Sequence, residues 1–272
     1  MGELASTAPE FDGRVALVTG GSGGIGLASA ELLLRRGARV MISGTPRDVP
    51  PALDRLAPYG DRVAGLAADL GDESAVSGLV AATVDRFGAL DVLVAAAGIQ
   101  RYGTAAETTA AEWDLVLSVN LRGAFFAVRE SLPHLRSKGD GTIVLVSSVQ
   151  AFVTQSGVAA YTASKGALNA LTRSIAIDEA GHGVRANVVC PGSVDTPMLR
   201  ASARSFSDGT DAGEQQLIDS WGRGHPLGRV ARPDEVAEAV CFLASSRSSF
   251  ITGIALPVDG GLLAQVAVVL PE

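Results

Sequence analysis

From Arg14 onward, short apolar runs alternate with longer stretches of helical periodicity. The runs Val15–Val18, Arg39–Ser43, Val63–Ala68, Leu90–Ala96, Ile143–Val146, Val184–Cys190 and Ile254–Val258 carry few charges, as strands buried on both faces do. Between them, Leu27–Arg36, Asp72–Phe87, Ala110–Ser137, Tyr161–Ala180 and Pro233–Ala244 have the length and composition of helices. Alternation of this kind predicts an α/β domain built on a parallel sheet covered on both faces. The segment containing Pro50, Pro51 and Pro58 reads as a loop. Beyond Met198 the pattern breaks: residues 201–213 are small and polar without periodicity, and about 198–226 read as a mobile insertion over the site, with Trp221 as its large aromatic anchor. The division expected is an arm over 1–12, one domain over 13–262 and a tail over 263–272, whose apolar ending LLAQVAVVLPE is expected to pack.

Two stretches carry chemistry. The first is Thr19-Gly20-Gly21-Ser22-Gly23-Gly24-Ile25-Gly26, placed between a strand and a helix. Gly20, Gly24 and Gly26 let the backbone turn sharply and approach a diphosphate, and the helix start offers free N–H groups to it. Ligands in such sheets bind beyond the carboxyl ends of the strands, where Gly20, Thr45, Asp69 and Gly98 fall. The second stretch runs from Ser147 to Lys165, with Tyr161 four positions before Lys165. On a helix that spacing puts the phenol and the ammonium on one face. Bringing a tyrosine from about 10 to about 7 requires roughly 4 kcal/mol. A cation about 4 Å away supplies roughly that much only where water is partly excluded. Asn120 lies in a helical segment among Leu117, Val119, Leu121 and Phe125, where an amide needs a partner.

Composition narrows the partners. The chain has 272 residues, 47% hydrophobic, with a net charge of -7. With no basic run, neither nucleic acid nor an anionic membrane surface is expected. Cys190 and Cys241 lack CxxC spacing and the three His are scattered, so neither a disulfide framework nor a metal site is expected. No apolar stretch reaches membrane-spanning length and the N-terminus is polar and acidic, which reads as a soluble cytoplasmic protein.

The motifs TGGSGGIG, Asp69-Leu70, Asn120, Ser148, YTASK and PGSVDTP, in this order, resemble the short-chain dehydrogenase/reductase family over about residues 13–262. The resemblance implies a Rossmann-like doubly wound seven-stranded sheet and NAD or NADP as cofactor. It implies a tetrad of Asn120, Ser148, Tyr161 and Lys165, with Ser148 rather than Ser147 because the family's serine stands thirteen residues before its tyrosine. Tyr161 would be acid in reduction and base in oxidation, with its pKa lowered by Lys165, which would also hold ribose hydroxyls. Ser148 would orient the substrate oxygen and Asn120 would hold a water. Cofactor contacts are expected from Gly20, Ser22, Gly24, Ile25, Gly26, Thr45, Asp69, Leu70, Ala97, Gly98, Tyr161, Lys165, Pro191, Gly192, Val194 and Thr196. One departure is Ala95-Ala96-Ala97-Gly98 where the family has Asn-Asn-Ala-Gly.

The expected activity is hydride transfer between nicotinamide and an alcohol or carbonyl, with an aldose or polyol as substrate. The substrate would meet Ser148, Gln150, Gln155, Tyr161 and Trp221. Amides both donate and accept, which suits neighbouring hydroxyls. The alternatives are a 3-oxoacyl thioester or general ketone reductase and a silent dinucleotide-binding sensor. Without a carboxylate at Gly44 or Thr45, and with Thr45 and Arg47 as donors to a 2′-phosphate, the cofactor reading leans to NADP. Apolar residues on more than one side of the helices carrying Asn120 and Tyr161 point to a homotetramer.

Overall fold

Seven strands, β1 (Val15–Thr19), β2 (Arg39–Gly44), β3 (Val63–Ala67), β4 (Val92–Ala95), β5 (Thr142–Val146), β6 (Arg185–Pro191) and β7 (Ala255–Val258), pair in parallel. Their order is β3-β2-β1-β4-β5-β6-β7 in this computed structural model, which describes residues 9–266. Chain order therefore reverses between β1 and β4, which opens a crevice at their carboxyl ends. The helices are α1 (Gly24–Arg35), α2 (Val49–Leu56), α3 (Glu73–Phe87), α4 (Ala110–Leu117), α5 (Gly123–Leu135), α6 (Ala159–Glu179), α7 (Pro197–Phe206), α8 (Asp211–Gly222) and α9 (Pro233–Ala244).

Residue alternation along each strand divides the core into two layers. Val15 and Leu17 of β1 face the cluster that α3, α5 and α6 cover, whereas Ala16 and Val18 face the one under α1, α2 and α9. Both faces of the central strands are thus buried, which is why those runs carry so few charges. An exception is Asp91, at the start of β4. Its buried carboxylate accepts from the Val15 amide at 2.8 Å and meets Lys138 at 2.7 Å, at the end of the sheet away from the crevice.

Three segments differ from the sequence expectation. The proline-rich loop contains α2, because Pro50 and Pro51 sit in the first turn, where no intrahelical N–H is needed, while Ala52 and Leu56 are buried. The long helix 110–137 is two helices joined by a π-turn over Ser118–Arg122. The expected mobile insertion is a pair of capped helices. The Thr196 hydroxyl accepts from the Leu199 amide ahead of Pro197, and Thr210 accepts from Gly213 at 3.0 Å. Glu214, buried on α8, then accepts from Arg200 at 3.1 Å and Arg204 at 2.9 Å on α7, which locks the two helices together.

The arm is partly built into the domain, since Phe11 is buried and its amide donates to Arg36 O at 2.8 Å. Residues 1–8 of that arm and 267–272 of the tail lie outside the described residues, as does the packing expected of the final residues. Among the described residues no helix is long and apolar enough to cross a membrane.

Candidate active site

The crevice opens into a cavity of about 1140 Å³ lined by all the residues expected to hold cofactor or substrate. Asn120 alone of the expected site residues stands behind its wall, fully buried. At one end, the glycine loop passes so close to the strand-four loop that a Cβ on Gly20 would lie 2.6 Å from Ala97 Cα, and Gly20 has φ +67°. A Cβ on Gly26 would run into the Gly20 carbonyl, whereas one on Gly23 would meet nothing within 4 Å. Gly23 is also the N-cap of α1 and gives it no side-chain cap. The first-turn residues Gly24, Ile25 and Gly26 of α1 line the cavity and no side chain caps them, a cradle that fits a diphosphate. The Ser43 hydroxyl beside it is buried, unpaired, and also on the lining.

Two of the expected cofactor side chains are engaged elsewhere. Asp69 accepts from the Gly71 amide at 2.8 Å and so shapes the turn after β3. Thr45 donates its hydroxyl to Asp48 at 2.6 Å, and Arg47 does not line the cavity. The lean to NADP rested on the Thr45 hydroxyl and on Arg47. The hydroxyl meant for a 2′-phosphate is already given to a carboxylate, whose charge would oppose that phosphate.

At the centre, Tyr161 and Lys165 stand one turn apart on α6, with Lys165 Nζ 5.4 Å from the centroid of the Tyr161 ring. Where a lowered tyrosine pKa was expected, the Tyr161 hydroxyl is raised, and the cause is burial. Burial pushes the Tyr161 hydroxyl up to about 12, against a smaller opposing pull from hydrogen bonding to Ser148. Burial likewise brings Lys165 down to about 8, and its Nζ donates to Val146 O at 3.0 Å.

The two serines part ways. Ser147 Oγ donates to Lys165 O at 2.9 Å and anchors α6 to β5. Ser148 caps the following turn by accepting from the Gln150 amide at 3.1 Å, and it is the serine that bonds toward Tyr161. Asn120 is turned inward by the π-turn, a distortion that often marks functional sites. Its Oδ1 accepts from Ile99 N at 2.8 Å, and its Nδ2 donates to Ile99 O at 2.9 Å and to Ser164 Oγ at 3.1 Å. Its side chain is therefore committed to protein partners. It fixes the Gly98–Ile99 turn.

The lining at the other end mixes amides with apolar side chains. Gln150 and Gln155 are joined there by Gln100 and Thr154, and Trp221 by Met198, Leu199, Val153 and Leu262. Sequence reading missed Gln100 and Tyr102, which follow Gly98 in the same loop. It also missed His225, set aside as one of three scattered His. Tyr102 packs edge-on against Phe206 at the end of α7, with ring centroids 4.7 Å apart. Arg200, Arg204 and Glu214 of the 198–226 segment do not line the cavity. They pair instead between α7 and α8, and the lining face of those helices carries Met198, Leu199, Ser202, Ser220 and Trp221.

A family model described as enoyl-(acyl carrier protein) reductase matches residues 20–263. The chain belongs to the short-chain dehydrogenase/reductase family. Within it, the chain is 40% identical over 255 residues to the cis-4-hydroxycyclohexanecarboxylate dehydrogenase of Sinomonas cyclohexanicum, covering 93% of this chain and 98% of the relative. It is 39% identical over 256 residues to the 2-(R)-hydroxypropyl-CoM dehydrogenase of Xanthobacter autotrophicus, covering 92% and 99%. The solved aldohexose dehydrogenase of Thermoplasma acidophilum superposes with a TM-score of 0.88 at 34% identity, over 97% of this chain and all of that one. As a short-chain dehydrogenase/reductase, the protein is an oxidoreductase, and its family and fold imply a nicotinamide cofactor.

Proposed function

We propose that the protein oxidises one hydroxyl of an aldose or polyol, or runs the reverse reduction, with Asn120, Ser148, Tyr161 and Lys165 as its working residues. When bound, the dinucleotide supplies the hydride acceptor or donor. Gly20, Ser22, Gly24, Ile25 and Gly26 hold its diphosphate, and Pro191, Gly192, Val194 and Thr196 hold its nicotinamide end. Thr45, Asp69, Leu70, Ala97 and Gly98 line the adenosine side. NAD is the better match, with NADP tolerated, because Asp48 holds the Thr45 hydroxyl. Tyr161 gives or takes the proton at Oη, Ser148 orients the substrate oxygen, and Lys165 secures the α6 start against β5.

The observation that carries the substrate class is the lining. Its charged side chains are Asp69, at the far edge of the sheet, and Lys165, whose ammonium is engaged by Val146 O. Gln100, Gln150 and Gln155 can exchange hydrogen bonds with several hydroxyls, while Trp221 and Met198 offer a face to ring C–H groups. A neutral polyhydroxylated ring suits both kinds of side chain. A ring carboxylate, as in the name of the Sinomonas relative, would find no free cation among the described lining residues. The likeness to an aldohexose dehydrogenase supports the same reading.

A panel of aldoses, polyols, cyclic hydroxy acids and an acetoacetyl thioester, read as absorbance of the reduced dinucleotide, tests it. Highest kcat/KM is expected on an aldose or polyol. Turnover of the thioester or the hydroxy acids with none on any aldose or polyol would reject it.

The same reading includes a cytoplasmic homotetramer. Cys190 and Cys241 are buried free thiols, consistent with a reducing compartment. Trp113, Leu115 and Phe125 are each more than a third exposed along α4 and α5. Phe125 joins Leu117, Leu121 and Leu171 around a hollow of about 740 Å³, a surface suited to a symmetric partner.

A further inference from the structure

His225 is buried and lines the cavity where the turn after α8 meets the loop after β6. Both its ring nitrogens are taken by the main chain. Nδ1 lies 2.6 Å from the Asp259 carbonyl, which can only accept, so Nδ1 carries the proton. Nε2 is then an acceptor, and the Ser193 amide donates to it at 3.3 Å. The imidazole lies so close to the loop that a Cβ on Gly192 would come within 2.5 Å of Cε1. Gly192 is thus a glycine because of the ring beside it. Two residues on, the Leu227 amide donates to Gly260 O at 3.1 Å, so this turn also grips the chain just after β7. Val194 and Asp195 are held on their other side by Ala231.

We propose that His225 is a positioning residue, clamping the Pro191–Thr196 loop to the end of β7 and making one side chain set both the seat of α8 and the shape of the cofactor loop. The proposal rests on the reading that this loop holds the nicotinamide end of the dinucleotide. A neutral ring suits the task because it presents a donor and an acceptor about 2 Å apart in a rigid plane, facing a carbonyl and an amide. An aliphatic side chain of equal size would leave both backbone groups without that partner.

Two variants separate the two contacts. His225→Gln places an amide oxygen near the position of Nε2, where it accepts from Ser193. His225→Asn places an amide nitrogen near Nδ1, which keeps the Asp259 contact and leaves the Ser193 amide unpaired. Kd for NAD and for NADP is measured by isothermal titration calorimetry on the full chain, with KM and kcat taken separately for dinucleotide and alcohol. The expected result is that Asn raises Kd and KM for the dinucleotide about tenfold, with the KM for alcohol and kcat moving less than about threefold. Gln is expected to hold Kd within about threefold of the parent. Equal Kd in the parent and both variants overturns the proposal. Equal losses in Asn and Gln overturn it too, because the ring would then only fill space.

If the Asn variant does not fold, His225→Leu carries the test. It fills the space with neither donor nor acceptor, and an unchanged Kd there overturns the clamp. A parent that binds neither dinucleotide overturns the reading beneath it, an outcome distinct from a parent that binds and variants that bind equally well.

Discussion

Tyr161 shows how burial sets the working direction of a side chain. Its hydroxyl, pushed up to about 12, keeps its proton throughout the neutral range, so it is ready to act as an acid and must lose that proton before it can act as a base. Alcohol oxidation should therefore quicken as pH rises from about 7 to 10, while carbonyl reduction holds until the alkaline limb. A pH series of kcat in both directions checks this. A flat oxidation profile over that range would contradict it. The choice of Ser148 over Ser147 came from the resemblance, in which the family's serine stands thirteen residues before its tyrosine. What Ser147 does was not legible in the sequence, because its bond to Lys165 O depends on β5 and α6 meeting in space. The same holds for Asn120, whose three bonds reach across to Ile99 and Ser164.

At the scale of elements, strand ends decide what a ligand meets. The turn after β2 carries no acid in its first positions, yet the fold brings the Asp48 carboxylate back to Thr45 at 2.6 Å. Asp48→Asn removes that charge while leaving the turn an amide, and should raise the ratio of kcat/KM for NADP over NAD by about tenfold. An unchanged ratio would remove Asp48 from the account. The strands and most helices were readable because buried apolar runs and helical periodicity are long-range repeats. The failures share a cause, since each depends on a signal one or two residues long. Thr196-Pro197 and Thr210 start α7 and α8, but the small polar residues between them hide the period. Pro50 and Pro51 read as helix breakers, although at a helix start they are compatible with α2. One extra residue in the π-turn shifts the phase too little to see in the apolar pattern, yet it is what turns Asn120 inward.

Across the whole molecule, the sheet order brings the glycine loop of β1, the amide-rich loop after β5 and the Pro191–Thr196 loop of β6 to one crevice. That convergence was inferable from strand–helix alternation, whereas the chemistry of the cover was not, because only packing shows that Arg200 and Arg204 face Glu214 and leave Trp221 to the cavity. The exposed apolar residues of α4 and α5 predict assembly. Light scattering should give a particle of four 27.7 kDa chains, and Phe125→Asp should reduce it. A parent that scatters as a single chain at micromolar concentration would contradict this. The central claim is that Tyr161 performs the proton transfer of a nicotinamide-dependent alcohol oxidation in this cavity. It is tested by turnover of the preferred aldose or polyol in the parent and in Tyr161→Phe, with dinucleotide Kd measured on both. A loss of at least about a hundredfold in kcat is expected with Kd within a few-fold, and turnover of more than about a tenth of the parent's would contradict the role given to Tyr161.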